Sequence, residues 1–237
     1  MGVSNYFKFN NKSSKDFGIL IEETGTFQAA ERDYETCVVP GRNGELTLDN
    51  GRYKNVNLTY QCGIGHSFET NMDDFFRWLM SQIGYKRLED TYQPDFYRMA
   101  RVKSAPDPKL FPRYQGGTFN VVFDCKPQRF LKAGEISQTF TTGSGTIVNP
   151  TLYDALPLIR AYGTGTLAIG STTITINSAN SYTDIDCEIQ DAYKGTTNCN
   201  GNITLNSGSF PKLSPGSNGI QLTGITRIEL TPRWWTI

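Results

Sequence analysis

The sequence lacks any segment that could place it in a membrane or direct it out of the cell. No run of about 18 apolar residues occurs among its 237 residues, so no membrane-spanning helix is predicted. The opening segment MGVSNYFKFNNKSSKDFG has no apolar core of the length that a signal peptide needs. We therefore expect a soluble protein, made in the cytoplasm, without membrane insertion.

An excess of one charge is also missing. Lys and Arg number 23 and Asp and Glu number 23, so the formal net charge is zero. Binding to nucleic acid or anionic lipid needs a basic patch or stripe, and the sequence predicts none. A protein that only lines a channel needs no such patch, so DNA is compatible with this composition only as passing cargo.

Residues that commonly carry catalysis or bind metals are scarce. His66 is the only histidine and has no accompanying Ser or Cys signature, so a half-buried structural role is expected. The five cysteines form no C-x-x-C pair for zinc or redox chemistry. Cys62, Cys125 and Cys187 continue apolar faces of predicted strands and are expected to be reduced core residues. No catalytic, metal or cofactor-binding residue is predicted.

Composition changes near residue 133 and indicates two domains, 1–132 and 133–237. The first contains 18 of the 23 Lys and Arg and 16 of the 23 Asp and Glu. Ser and Thr are distributed the other way, with 14 in the first part and 27 in the second. The second half is therefore poorer in charge and richer in hydroxyl groups.

The first half is predicted to be α+β, with one helix packed on a sheet. Alternation at period 2 predicts two strands, with Val56, Leu58, Tyr60 and Cys62 on one apolar face and Phe119, Val121, Phe123 and Cys125 on another. Between them, NMDDFFRWLMSQIG places Met72, Phe75, Phe76, Leu79, Met80 and Ile83 on one helical stripe. Thr70 or Asn71 is expected to cap the helix.

The second half is predicted to be an antiparallel β-sandwich. Its short strand-like segments are separated by turn residues and show no helical pattern. Leu167 and Ile169 are expected to pair with Ile174 and Ile176 across a Gly170-Ser171 turn. The mainly β fold class follows from the two halves together.

Asp184, Asp186 and Glu188 alternate with apolar residues in the second half. Carboxylates two residues apart on a strand are about 7 Å apart, within the range of about 6.5–9.5 Å of inverting glycosidases. Any half-exposed strand produces the same spacing, so a solvated strand face is the preferred interpretation. A glycoside hydrolase is a third hypothesis.

The segment PGRNG, Pro40 to Gly44, is a turn whose proline and glycines restrict its conformation. Arg42 at its tip could contact a partner or could be an ordinary solvated arginine. The residues leave both interpretations open.

Several further segments follow one another in a recognisable order: YFKFNNKSSKDFGILIEE, VVPGRNGELTLDNGRYKN, YRMARVKS with GTFNVVFDCKPQRF, IVNPTLYDALPLIRAYGTGTLAIG with TDIDCEIQDAYKG, and FPKLSPGSNGIQLTGITRIELTPRWW. In this order they resemble the distal tail protein family of long-tailed phages. The resemblance covers residues 6 to 235. The residues that carry its motifs are Phe17, Gly18, Pro40, Gly41, Arg42, Gly44, Phe210, Pro211, Leu213, Pro215, Gly216, Asn218, Pro232, Arg233 and Trp234.

The resemblance implies an N-terminal domain that closes a six-membered ring and a galectin-like C-terminal β-sandwich outside it. It implies a structural protein of the virion that caps the tail tube. The implied partners are further copies of the chain, the tail tube protein, the tail-tip hub or tail-associated lysin and, in some relatives, receptor-binding proteins. The 105-residue second half has no room for the arm-and-hand insertion of relatives with large baseplates.

A carbohydrate-binding module for a bacterial surface is the alternative function. The Ser- and Thr-rich second half supports it, as do four tyrosines that could be exposed: Tyr153, Tyr162, Tyr182 and Tyr193. The galectin sugar signatures H-x-N-x-R and W-x-x-E-x-R are missing, and the second half has no histidine.

Two adjacent tryptophans end the last predicted strand. Ile228, Leu230, Pro232 and Trp234 share one parity, so Trp234 is expected in the core. Trp235 falls with the charged parity and is a candidate interface residue, either for the first domain or for a neighbouring subunit. Pro232 donates no N–H, so we expect an edge strand or the end of pairing there.

Overall fold

A computed structural model describes residues 4–23, 28–65, 68–111, 116–179 and 181–237. The chain is mainly β, with 57% of its residues in strands, as predicted. In the described ranges the single α-helix is α1 (Phe68–Met80), beside three short 3-10 helices. The contacts divide the chain into two units, Met1–Arg129 with Ile237, and Phe130–Thr236.

The first unit contains a curled antiparallel sheet and a separate hairpin. Its strands are β1 (Phe7–Phe9), β2 (Lys12–Ser13), β3 (Ile19–Ile21), β4 (Arg32–Val38), β5 (Glu45–Tyr53), β6 (Val56–Ile64), β7 (Lys86–Asp90), β8 (Phe96–Ser104), β9 (Lys109–Phe111) and β10 (Gly116–Leu131). The sheet order is β2-β1-β7-β8-β10-β6-β3, with β9 also paired to β10. Among the described residues, β4 and β5 pair only with each other.

The two predicted alternating segments are both strands, which confirms the prediction, and the structure shows that they pair directly. Strands β6 and β10 align Cys62 with Phe119 and Val56 with Cys125, so their apolar faces coincide. Helix α1 covers this face and packs Phe75 against Phe119 and Phe7. The unit is thus an aromatic core between one helix and one sheet.

The helix differs from its prediction at both ends. It begins at Phe68, before Thr70 and Asn71, so neither residue is its cap. It ends at Met80, and the side chains of Met80 and Ile83 are exposed, whereas the stripe predicted them in the core. Leu79, in the same last turn, is fully buried, so the buried face of the helix ends one residue before Met80. His66 lies outside the described residues.

The Asp16-Phe17-Gly18 motif terminates a short 3-10 helix (Ser14–Phe17). The Asp16 carboxylate accepts a hydrogen bond from the Ser13 amide. Gly18 has a φ of 70°, a backbone conformation in which a residue with a side chain would be strained. Phe17 stacks on Trp78 at 5.0 Å between ring centroids. The motif therefore joins the start of the chain to the helix.

The second unit is one curled sheet around its longest strand. Its strands are β11 (Gln138–Asn149), β12 (Leu158–Tyr162), β13 (Gly165–Ile169), β14 (Thr172–Ile176), β15 (Thr183–Asp186), β16 (Asp191–Lys194), β17 (Thr197–Asn198), β18 (Ile203–Leu205) and β19 (Gly216–Thr231). The short strand β20 (Trp235–Thr236) is not part of this sheet and pairs with β10. The order is β17-β16-β15-β12-β19-β13-β14-β18, and β11 pairs with the other edge of β19.

The curl of this sheet divides one edge of β19 between two strands. Strand β13 pairs with residues 220–223 of β19, and β12 pairs with residues 227–231. Gly224, between them, has a φ of 82° and lies against Thr164 and Gly165. The predicted hairpin is confirmed, with Leu167 opposite Ile174, although Ile169 lies opposite Thr172 rather than an isoleucine.

The predicted burial of the three strand cysteines is confirmed. Cys62, Cys125 and Cys187 are buried and free, and burial raises the pKa of each thiol to about 12. Cys199 is also buried, whereas Cys37 is exposed on β4. These high pKa values make the three core thiols poor nucleophiles.

Trp234 is buried in the core of the second unit, which confirms the prediction from strand parity. Regular alternation stops at Arg233, whose φ is 58°. Trp235 is half-buried, stacks on Tyr153 at 4.5 Å between ring centroids and donates a hydrogen bond to the Asp154 carbonyl. Its side chain thus contributes to its own unit, which the sequence analysis did not expect.

We expect Trp234→Ala to lower the free energy of unfolding by about 3–5 kcal/mol, because it removes a buried aromatic side chain. Trp235→Ala should cost about 1–2 kcal/mol, from the loss of one aromatic stack and one hydrogen bond. Urea unfolding of both variants measures the difference. Equal losses would contradict the division between a core and a half-buried tryptophan.

Gly134→Ala should destabilise the second unit by about 1–3 kcal/mol, because the new methyl group overlaps the Trp234 backbone. Gly219→Ala is the matched control, since nothing lies within 4 Å of a methyl group there. The melting temperatures of the two variants give the comparison. Equal melting temperatures would show that the chain beside Trp234 adjusts freely.

Candidate assembly surface

Strands β4 and β5 form an exposed two-stranded hairpin, which we call the arm (residues 32–53). Its turn is closed by a hydrogen bond from the Arg42 amide to the Val39 carbonyl at 3.1 Å. Pro40 and Gly41 occupy the central positions, and Gly41 has a φ of 81°, as a type II turn requires. Gly44, with a φ of 79°, leads into β5. The motif therefore determines where the chain reverses.

Ion pairs hold the base of the arm together. Arg32 Nε lies 2.8 Å from Asp49 Oδ2, and Arg52 Nε lies 2.6 Å from Asp33 Oδ2. The register shifts between Asp33 and Tyr34, where β5 carries extra residues. Hydrogen bonds from the Gly51 amide and from Arg32 hold the pKa of Asp49 below its ordinary value. The base is thus fixed by charge rather than by a core.

Beyond this base the arm presents apolar side chains on both of its faces. Tyr34 and Val38 lie on one face, whereas Leu46 and Leu48 lie on the other, by the β4–β5 register. Val38 is 71% exposed and Leu48 is 65% exposed. A two-stranded hairpin is marginally stable alone, and clustered exposed apolar side chains are typical of interaction sites.

Arg42 is exposed at the tip of the arm. Among the described residues it has no ion pair, so its charge is available at the end of the hairpin. The turn was predicted from the sequence, but the strands beside it were not. Alternation in RDYETCV and ELTLDNGRY on either side of a P-G turn is the signal that predicts a hairpin.

The motif residues of the second unit close a loop against its core. Leu213 is buried and exchanges backbone hydrogen bonds with Ala155. The Asn218 side chain accepts from the Ser214 amide and donates to the carbonyls of Ser214 and Gly216. Three further motif residues are buried or half-buried: Phe210, Pro211 and Pro232. Pro215 and Gly216 are exposed in the turn. These contacts are structural.

The carboxylates of β15 are not on a solvated face, contrary to the preferred interpretation. Asp184 and Asp186 are both buried. Arg160 binds Asp184 through two hydrogen bonds of 2.7 and 2.9 Å, and Arg233 binds Asp186 through two of 2.6 and 2.9 Å. The strand ends at Asp186 and a turn follows, so Ile189 is exposed rather than in the core.

This ion pairing also bears on the hydrolase hypothesis. Burial alone would raise the pKa of Asp186, but the hydrogen bonds and charge of Arg233 and the amide hydrogen bonds of Glu188 and Ile189 together outweigh it, and the pKa lies below its ordinary value. A general acid at neutral pH needs a carboxyl group with a raised pKa. The geometry therefore holds Asp186 as an anion bound to arginine, which suits stability rather than proton transfer.

The four tyrosines of the carbohydrate hypothesis are half-buried and already have ring partners or charged neighbours. Tyr153 stacks on Trp235, Arg227 lies 4.1 Å from the Tyr162 ring centroid, and Arg160 lies 4.4 Å from that of Tyr182. Burial raises the pKa of Tyr193. A sugar would have to displace an arginine to stack on Tyr162 or Tyr182 from that side.

The described residues contain no cluster of three or more His, Cys, Asp or Glu side chains suited to a metal ion. No helix among them is both long and apolar enough to cross a membrane.

We expect Asp186→Asn to lower the free energy of unfolding at pH 7 by about 2–3 kcal/mol, because Arg233 loses its charged partner. The folded-state pKa of Asp186 lies below the ordinary 3.8, so its contribution is fully present above that value. It is lost as the pH falls through the folded-state pKa. The difference in the free energy of unfolding between wild type and Asp186→Asn, measured with urea, should therefore become smaller as the pH is lowered from 7 towards 2.

Glu188→Gln is the control for this prediction. Its carboxylate lies 3.2 Å from the same arginine but is 58% exposed, so the change should have little effect. A difference between wild type and Asp186→Asn that stays constant over this pH range would contradict the assignment of the ion pair.

Comparison with known proteins gives a match in structure but not in sequence. No family model and no curated protein matches the sequence. The Dit protein of phage SPP1, described as a paradigm of the hub adsorption apparatus in phages that infect Gram-positive bacteria, superposes with a TM-score of 0.76 and 13% identity. The match covers 98% of this chain and 99% of that one.

Two structures of the phage p2 baseplate in its activated conformation, with Sr and with Ca, contain chains with the same fold. Their TM-scores are 0.52 and 0.53 at 12% identity, over 97% of each chain. The fold expected from the resemblance is therefore confirmed. Over nearly its whole length, this chain has the fold of the SPP1 distal tail (Dit) protein.

Proposed function

We propose that this protein is a structural component of a phage tail tip, located in the virion and assembled in the bacterial cytoplasm. The observation that carries the proposal is the match in fold with SPP1 Dit over 98% of the chain, with neither unit left over. The buried, arginine-bound carboxylates of β15 agree with a role that involves no catalysis.

In this proposal six copies form a ring through residues 1–132, and the galectin-like residues 133–237 lie outside it. The ring joins the tail tube protein to the tail-tip hub or tail-associated lysin, and the outer domain is available for a receptor-binding protein. The net charge of zero suits a channel through which DNA passes without being held.

The arm supplies the physical reason for self-association. Its apolar side chains lie on two faces, so one neighbouring surface cannot cover them all. A closed ring uses two different patches on each subunit, and an arm inserted into the next copy fulfils this requirement. We propose that Arg42 and the arm of one copy contact the first unit of the next copy. Cys37, exposed on β4, lies in the same region.

Val38→Asn with Leu48→Asn should prevent ring formation, because it places one amide on each face of the arm. Both side chains are exposed in the single chain, so the melting temperature of the monomer should change little. Ile189→Asn, an exposed apolar position of the second unit, is the control and should assemble normally. Negative-stain images and light scattering, with and without the tail-tip partner, measure assembly.

The proposal predicts rings with a central channel for the wild type and the control. A wild-type protein that remains monomeric at every concentration and with its partner would refute it. If the arm variant also forms rings, the arm is not the contact between copies, and the proposed tail-tip function still stands.

A further inference from the structure

An arginine lies in the core-facing row of strand β8. Arg98 is opposite Leu88 in the β7–β8 register and precedes the fully buried Ala100 by two residues. Only 8% of Arg98 is exposed. A buried arginine is ordinarily paired with a carboxylate, because an unpaired charge in this position is costly.

Arg98 has no such pair among the described residues. Its one hydrogen bond goes from Nη1 to the Pro127 carbonyl at 3.4 Å, which leaves most of its five donors without a protein acceptor. Asp90 is close enough to act on its charge but accepts hydrogen bonds from the Tyr60 hydroxyl and from the amides of Tyr92 and Gln93. Burial lowers the pKa of Arg98.

A second arginine lies beside the first. Arg129 donates to Gln93 Oε1 at 3.2 Å and to a carboxylate oxygen of Ile237, the last residue, at 2.6 Å, and its guanidinium lies 5.1 Å from the Phe96 ring centroid. Its Nε is buried and has no partner among the described residues. Arg129 repels Arg98 electrostatically. Two guanidinium groups thus lie close together, and several of their N–H donors have no protein acceptor among the described residues.

Both guanidinium groups line the same cavity of about 90 Å³. The other lining residues are Gln28, Ala29, Gln93 and Ile237, and the one anionic group among them is the terminal carboxylate of Ile237, which Arg129 already binds. In the described part of the chain, no hydrogen bond or ion pair joins Arg98 to that carboxylate. The volume exceeds the roughly 30 Å³ that one water molecule occupies in the liquid. Planar guanidinium groups match the oxygens of carboxylate or phosphate groups in geometry and charge.

We propose that Arg98 and Arg129, with Gln93, form a binding site for a small oxyanion of the phosphate or carboxylate type. The anion supplies the counter-charge that Arg98 lacks and accepts its unused N–H groups. It is either a free anion or a carboxylate side chain of another copy of this chain. The site is separate from the arm and does not depend on the proposed function.

The test is thermal unfolding of the full chain with added phosphate or acetate, against chloride at equal ionic strength. Wild type should show a saturable rise in melting temperature, roughly 5 °C when the anion is a hundredfold above its Kd. Arg98→Met and Arg129→Met should abolish the rise. Arg77→Gln, which changes an exposed arginine of α1, should retain it.

Without added oxyanion, Arg98→Met should unfold at or above the wild-type temperature, because it removes an uncompensated buried charge. With saturating phosphate, the order should reverse. An equal rise in wild type and Arg98→Met, or no rise in wild type with either anion, would overturn the proposal. If Arg98→Met does not fold, the titration of the wild-type protein with each anion still tests the proposal.

Sedimentation with and without phosphate separates the two sources of the anion. A carboxylate from another copy competes with phosphate, so phosphate would dissociate assembled protein. A free anion leaves assembly unchanged while raising the melting temperature. Both results support the oxyanion site. If the arm does not mediate assembly, the rise in melting temperature with added anion should still occur, so the two proposals can fail separately.

Discussion

Two sixteen-residue strands, β10 and β19, organise the two units, because each is long enough to pair with different partners along its length. A side chain on a strand alternates between faces, so a long strand with sustained alternation defines one continuous apolar surface. In the first unit that surface receives the helix. In the second it is closed by the sheet itself, which bends at Gly224 where β13 gives way to β12.

The arm is the exception to this organisation. It is regular in its backbone pairing but contributes nothing to a core, and its base is held by Arg32–Asp49 and Arg52–Asp33. Asp33 is buried, but Asp49 and both arginines are exposed, and ion pairs of exposed groups contribute little to stability. An exposed hairpin is therefore more easily explained by a contact outside the single chain than by the folding of the chain, which connects this local geometry to the tail-tip proposal.

Charge is used differently in the two units. The carboxylates of β15 are neutralised by Arg160 and Arg233 in bidentate geometry, which fixes the end of the chain at Arg233 to the sheet. Arg98 and Arg129 instead share a cavity without a carboxylate side chain. Paired buried charges stabilise one arrangement, whereas unpaired donors define a place that a ligand can complete.

Local patterns in the sequence determined the mainly β class, the helix stripe at Met72 and Phe75, the apolar faces of β6 and β10 and the burial of Trp234. These features depend on period and parity, which are properties of neighbouring residues. Tertiary structure alone decided that Met80 and Ile83 are exposed, that Asp184 and Asp186 are buried and that Trp235 stacks on Tyr153. The burial of the two aspartates and the stacking of Trp235 each depend on a partner distant in sequence, an arginine on another segment or a loop 81 residues away. Alternation says which residues share a face but not what covers that face.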